Sequence, residues 1–421
     1  MKNVLIISYY WPPSGGPGVQ RVLKFCKYLS GFGWNPIVLT VEDGEFPTLD
    51  FSLAKDSKNI ECIKVKGLSL FSLFKKLSGK KKLPSHQLSP SRDEKFIIKI
   101  ARWIRYNLII PDGRVGWYWS AVKAGERIIK QKNIKIIFTS GPPQTVHLVG
   151  NSLANKTKTR WVSDFRDPWT DRFYYYENPR NKITSFFDAY LEKSVLRNCD
   201  YLVTVSNGFL YLLNQKWDIK KKSEIIYNGY DPEDFKNQIN INRSRDKIII
   251  SHIGSLSKSQ NPIGLFQSIK KYNALKPEKL IVVNLIGSVH NNIESYISEN
   301  GLEKYLINNE NVDHNKAIRE MVNSDILFVV IPDLINNQGI IPAKLFEYIA
   351  SKTKIILIGH RKSDAAKLMS TLGYKYFYNT YDYINFDEII FDDFQYITKS
   401  DVFSRLEQTK QLSKIFDKIS S

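Results

Sequence analysis

The feature that most narrows the fold is a recurrence: a short apolar run, a polar turn, then a helical pattern, repeated along the chain. The first half carries "NVLIISYY", "NPIVLTV", "KIIFTSG", "RWVSDF" and "CDYLVTVS"; the second carries "KIIISHIG", "LIVVNLIG", "DILFVVIP" and "KIILIGH". Runs this continuously apolar are buried on both faces, and where they alternate with amphipathic helices they form parallel sheets covered on each side. Two such sets predict an α/β chain of two doubly wound domains. At 421 residues the chain is also too long for one core, since single cores stop growing at about 250–300 residues.

The segment "GYDPEDFKNQININRSRDK" has turn formers, mixed charge and little periodicity, which puts the junction between Asp231 and Asp246. The expected domains are therefore 1–235 and 246–398. Residues 399–421 read as an amphipathic helix, with Phe403, Leu406, Leu412, Ile415, Phe416 and Ile419 at helical spacing. One stretch, about residues 68–120, breaks the alternation. It sets Lys75, Lys76, Lys80, Lys81 and Lys82 beside Phe and Leu, then supplies Trp103, Trp117 and Trp119. Basic residues interleaved with aromatic ones suit docking on anionic headgroups; a solvated insert followed by a core helix has the same composition.

The chain carries 61 Lys and Arg against 42 Asp and Glu, a net charge of +19, which draws polyanions over long range. Nucleic acid, anionic lipid and phosphorylated substrates all qualify, and so does plain enrichment in lysine. No helix-turn-helix or aromatic RNA-binding signature is present, so nucleic acid is not an expected partner. Cys26, Cys62 and Cys199 are far apart, which argues against a disulfide framework and a zinc site and for a reducing, cytoplasmic compartment. The N-terminal run stops at a Trp-Pro-Pro cluster with no small-residue cleavage site behind it, and reads as a first buried strand. No apolar stretch approaches the roughly 20 residues that cross a bilayer as a helix, so any membrane attachment is expected to be peripheral.

Candidate site residues gather where the runs end. Gly15, Gly16 and Gly18 lie between the first strand and a helix, a place where backbone amides can approach an anionic ligand; a plain tight turn has the same look. "VSDFRDPWT" packs Asp164, Arg166 and Asp167 at a strand's C-terminal end, the edge where open parallel sheets bind ligands, although an Arg166–Asp164 ion pair would serve structure alone. His147 opens the helix after the neighbouring strand. In the second half, Gly254, Ser255, Ser257 and Lys258 precede a helix near Pro262, a combination able to cradle a diphosphate. Pro342 suits the first turn of a later helix, which places Lys344 and Glu347 three residues apart on one face. A surface ion pair would need solvent around it, and Leu345, Phe346, Tyr348 and Ile349 leave little. The carboxylate of Glu347 can accept hydrogen bonds from a pair of ribose hydroxyls, and Lys344 can meet a phosphate.

Taken in order, "MKNVLIISYYWPPSGGPGVQRVLKFCKYLSGFGWNPIVLT", "NCDYLVTVSNGF", "IIYNGYDPEDF", "SHIGSL", "NSDILFVVIP" and "PAKLFEYIASKTKIILIG" resemble glycosyltransferase family 4 from Met1 to about Gly359. The resemblance implies a GT-B fold: two Rossmann-like domains, the second holding the donor nucleotide sugar, with a terminal helix that crosses back onto the first. It implies retention of anomeric configuration and no cofactor beyond the donor itself. By that resemblance Glu347 matches the second glutamate of a paired-glutamate motif, which holds the donor ribose. Lys344 matches the lysine of the form P-x-K-L-x-E-Y, with Ala343 and Leu345 beside it, and Lys258 falls in the phosphate-contacting segment with Ser257 and Gly254. The first glutamate's position, eight before Glu347, is Gly339, which leaves the donor sugar open. Where many relatives carry a His-Asp pair this chain has Arg166 and Asp167, and His147 is the substitute catalytic candidate. Gly15, Gly16, Gly18 and Asp164 are the acceptor-side candidates.

The mechanism expected from this set is metal-independent, since no Asp-x-Asp motif ends a predicted strand. Lys258, Lys344 and helix-start amides would stabilise the leaving diphosphate, and closure of two domains around the cleft would exclude water. The resemblance, together with the basic aromatic stretch, implies as acceptor a growing glycan on a polyprenyl diphosphate at the inner face of a bacterial membrane, in surface polysaccharide or lipopolysaccharide assembly, with a soluble acceptor as the alternative. A non-hydrolysing sugar-nucleotide epimerase, which needs no acceptor, and a nucleotide-sugar-binding protein without catalysis are the competing expectations.

Overall fold

The structure is a computed structural model that describes residues 1–44, 46–68, 103–171, 175, 179–217, 219, 222–236, 246–309, 312–334, 337–393 and 398–420. The lysines of the basic stretch, Lys75 to Lys82, lie outside the described residues. The chain divides into two compact units: Met1–Val205 with Phe209–Tyr227 and Gln408–Ser421, and Ser206–Gly208 with Asn228–Glu407.

The first unit holds a seven-stranded sheet in the order β3-β2-β1-β4-β5-β6-β7. Its strands are β1 (Lys2–Ile7), β2 (Trp34–Val41), β3 (Glu61–Val65), β4 (Ile134–Gly141), β5 (Arg160–Phe165), β6 (Tyr201–Thr204) and β7 (Ser223–Ile225), and every pairing is parallel. Burial on both faces is visible in β1 itself. Val4 and Ile6 join one apolar cluster with Phe25, Leu29 and Trp34, while Leu5 and Ile7 join another with Ala121, Ile128 and Val149. Each such fully buried aliphatic side chain contributes about 1.5–3 kcal/mol.

The terminal helix, Arg405–Ser420, lies on the first of these faces. Leu412, Ile415 and Phe416 are buried there, with the Phe416 ring edge-on to Trp34 at 5.3 Å between centroids. The expected stripe is shorter than its sequence pattern: Phe403 sits ahead of the helix in the 3-10 turn Thr398–Phe403, and Leu406 is 47% exposed.

The second unit holds a six-stranded parallel sheet in the order β10-β9-β8-β11-β12-β13: β8 (Lys247–Ile253), β9 (Leu280–Ile286), β10 (Leu306–Asn309), β11 (Ile326–Val330), β12 (Lys354–Ile358) and β13 (Phe377–Tyr378). Its boundary falls earlier than the sequence predicts. "GYDPEDF" belongs with this unit because Tyr230 is stitched to the chain leaving it, accepting from the Arg405 amide at 2.7 Å and donating to the Phe403 carbonyl at 3.1 Å. Strand order reverses between β1 and β4 in one sheet and between β8 and β11 in the other, and ligands of open parallel sheets bind beyond the strand ends at such reversals.

Candidate functional site

At the reversal in the second unit, the turn after β8 and the Lys344–Ala350 helix form one assembly. The helix is fixed by Leu345, Phe346 and Tyr348, all fully buried, so its first turn cannot drift. It grips both sides of residue 253: the Ile253 amide donates to Tyr348 Oη at 2.8 Å, and Lys344 Nζ donates to the Ile253 carbonyl. Gly254 makes that contact possible. Its φ of 129° lies where side chains are disfavoured, and a Cβ there would fall 1.4 Å from Lys344 Nζ. Burial pulls the Lys344 ammonium down to about 8, with neighbouring Glu347 resisting.

Glu347 lies one turn along. Its carboxylate is half-buried, and burial raises it above the ordinary glutamate range, opposed by His314, Arg405 and Lys344 and reinforced by Asp234. It makes no hydrogen bond or ion pair among the described residues. Of those neighbours, His314, Arg405 and Asp234 are the ones that the sequence did not single out. His314 Nε2 and Asp234 Oδ2 are 2.9 Å apart, and Arg405 is 3% exposed. Nothing local links positions so far apart in the chain; Asp234 read only as part of a junction.

The rest of the expected cradle divides. Lys258 is exposed, free to reach an anion. Ser257 is committed to a capping box at the start of the 3-10 turn Lys258–Gln260, its Oγ donating to Gln260 Oε1 at 2.8 Å. Gly339 closes the 3-10 turn Asn337–Gly339 and is buried.

In the first unit the structure corrects three expectations. Asp164 is fully buried and pairs with Arg21, not Arg166. Arg21 Nε and Nη2 donate to its two oxygens at 3.0 and 2.9 Å, Ser140 Oγ donates at 2.7 Å, and Arg21 also holds the Tyr227 and Ile226 carbonyls. A carboxylate that is fully buried and already accepts three hydrogen bonds is not available to an acceptor sugar. His147 is fully buried as well. Its Nδ1 lies 2.9 Å from both Thr139 and Ser163 hydroxyls and its ring stacks on Phe165 at 4.4 Å, the environment of a core histidine. Arg166 is a bracket: Nε and Nη2 donate to the Gly141 and Pro142 carbonyls.

That bracket also explains the glycine loop. A Cβ on Gly18 would lie 1.6 Å from Arg166 Nη1, so the close approach at Gly18 is made by the guanidinium. The Gly15 amide is spent on the Thr48 carbonyl at 3.0 Å, and Gly16, with φ 103°, precedes the Pro17–Leu29 helix as its N-cap. Of the catalytic candidates only Asp167 is exposed at the strand edge.

Residues 83–234 match the sequence model of Glycosyltransferase Family 4. No curated protein sequence matches the chain. Solved structures match over nearly the full length: sucrose-phosphate synthase from Thermosynechococcus elongatus, at 13% identity, covering 100% of this chain and 99% of that one with TM-score 0.65; Anabaena HepE in complex with UDP and glucose, at 13%, 100%, 97% and 0.59; and a glycosyltransferase from Rickettsia africae, at 15%, 99%, 98% and 0.55. Residues 83–234 are thus similar in sequence to family 4, and the chain's two parallel-sheet units give it the GT-B fold of glycosyltransferases.

Proposed function

We propose that this protein is a retaining, metal-independent hexosyltransferase that moves a sugar from a nucleotide diphosphate sugar to a glycan on a polyprenyl diphosphate, in surface polysaccharide or lipopolysaccharide assembly. One observation carries the reading: the Glu347 carboxylate, half-buried and without a hydrogen-bonding partner among the described residues, beside an ammonium that burial has weakened. Two desolvated groups left in this state mark a binding site more than a stability device. Ribose hydroxyls would donate to Glu347, and a diphosphate oxygen would accept from the N–H bonds that Lys344 does not spend on Ile253. The solved complex of HepE with UDP and glucose, on the same fold, supports a donor of this class.

In the transfer, the anomeric carbon's bond to the diphosphate oxygen breaks as its bond to the acceptor hydroxyl forms on the same face. The hydroxyl proton passes to the leaving diphosphate. Charge that develops on that diphosphate is stabilised by Lys344 and, with the longer reach of an exposed side chain, Lys258. Asp167, exposed at the end of β5, is the acceptor-side residue this reading retains, and Arg166 holds the strand end that carries it. The expected location is cytoplasmic, at the inner face of the membrane; no helix among the described residues is long and apolar enough to cross one.

A thermal-shift panel of nucleotide sugars tests the reading, because a ligand that binds only the folded state stabilises it by about 2.7 kcal/mol at a hundred times Kd. One donor should raise Tm, and Glu347→Ala should remove that rise. A rise that survives Glu347→Ala takes the donor away from this site, and epimerisation of the donor with no acceptor present replaces transfer as the activity.

A further inference from the structure

The helix Lys182–Asn198 in the first unit is amphipathic the wrong way round for a surface helix. Its two acidic residues face inward. Asp188 accepts from Trp169 Nε1 at 2.9 Å and is ion-paired with Arg180; Glu192 accepts from the Thr170 hydroxyl at 2.7 Å, and burial raises its carboxyl. The opposite face shows Ile183, Phe186, Phe187 and Tyr190 to solvent, 71, 68, 52 and 62% exposed. Their spacing of three, one and three residues makes one stripe.

The stripe has neighbours of the same kind. Asn107 binds the start of this helix, accepting from the Asn181 amide and the Thr184 hydroxyl, both at 2.7 Å. Trp103 and Leu108, four before it and one after it, are 54 and 63% exposed. Lys182, Lys193 and Arg197 are exposed on the helix, and no exposed acid accompanies them. Scattered exposed apolar residues are ordinary; four large apolar side chains in one stripe, on a helix that exposes cations and no acid, are not.

We propose that this face docks on an anionic lipid bilayer, the aromatic stripe entering the headgroup region and the cations meeting lipid phosphates. The choice of bilayer over a protein partner follows from charge: the whole chain carries +19 and the helix offers no acid that could pair with a basic residue on a second copy. Docking supplies the proximity that a lipid-linked acceptor requires and rests on that part of the proposed function for its purpose alone.

Co-sedimentation with vesicles of phosphatidylglycerol mixed with phosphatidylcholine, and with phosphatidylcholine alone, tests it without donor or acceptor. Wild-type protein should bind the anionic vesicles. Phe186→Ser with Phe187→Ser should weaken that binding by about tenfold or more, and Lys182→Glu with Lys193→Glu should weaken it further at low salt than at high salt. Tm and the nucleotide-sugar shift should stay unchanged in both variants, which separates failure of docking from failure of the transfer reading. Equal vesicle binding by the Phe186→Ser/Phe187→Ser variant, or a wild-type dimer that this variant converts to monomer, would overturn the proposal.

Discussion

Each unit sets an acid and a base near the C-terminal edge of a parallel sheet, and the two treat the pair in opposite ways. In the first, Asp164 and Arg21 are wholly buried and well partnered: two bonds between them, one from Ser140, two to backbone carbonyls. In the second, Lys344 holds one carbonyl, the Glu347 carboxylate holds nothing among the described residues, and burial drives both toward their neutral forms. A buried charge that is saturated locks elements together. One left short of partners stays competent to bind a polar molecule that arrives later.

Mutation should separate the two most widely at their centres. Arg21→Ala leaves Asp164 buried without its cation and should cost about 3–5 kcal/mol, read from the urea midpoint. Glu347→Ala removes a carboxylate that has no hydrogen-bonding partner among the described residues, so the same measurement should show no loss, while the donor-induced rise in Tm disappears. Comparable destabilisation by both would erase the distinction.

Gly254→Ala comes next. It forces an L side chain into a φ of 129° and onto Lys344 Nζ, and should cost about 1–3 kcal/mol with a weakened donor shift. Wild-type behaviour on both counts would show that the Lys344 contact is not required.

The pH dependence should be smaller but has a definite sign. Lys344 loses its proton as pH rises through about 8, so donor affinity should fall above that pH, and Lys344→Arg, charged throughout, should flatten the decline. In ligand-free protein the same shift acts the other way on stability. Between about 8 and the ordinary lysine value of 10.5 the unfolded chain binds more protons than the folded one, so this group's contribution to folding rises with pH across that window. A donor affinity flat from neutral pH to 9 or so would remove Lys344 from the phosphate.

Smallest of all is Ser257→Ala, which should cost about 1 kcal/mol as a lost cap and leave the donor shift intact. Loss of the shift would restore Ser257 as a phosphate ligand.

How much could be read in advance follows burial. The nine runs that predict strands are β1, β2, β4, β5 and β6 in one sheet and β8, β9, β11 and β12 in the other. The strands not predicted, β3, β7, β10 and β13, are the two edges of each sheet. An edge strand is short and half-exposed, so it never carries a continuous apolar run; "ECIKV" in β3 alternates through intermediate and exposed positions. The site divides along a similar line. Lys344 and Glu347 were legible as candidates because a charged pair inside an apolar helix needs a reason. Asp164 and His147 misled because the sequence shows a polar residue at a strand end without showing that Arg21, or Thr139 and Ser163, will be there to meet it.

By itself, then, the sequence determined the alternation of buried strands and helices, hence two parallel sheets and the edges at which loops gather, because periodicity and hydrophobicity are local properties. Which charged groups at those edges are satisfied was decided only by tertiary structure. Arg21 reaches Asp164 across 143 positions, and Asp234, His314 and Arg405 surround Glu347 from three separate segments. A pattern confined to neighbours in the chain holds no record of such meetings, and the difference between a structural ion pair and a binding group lies entirely in them.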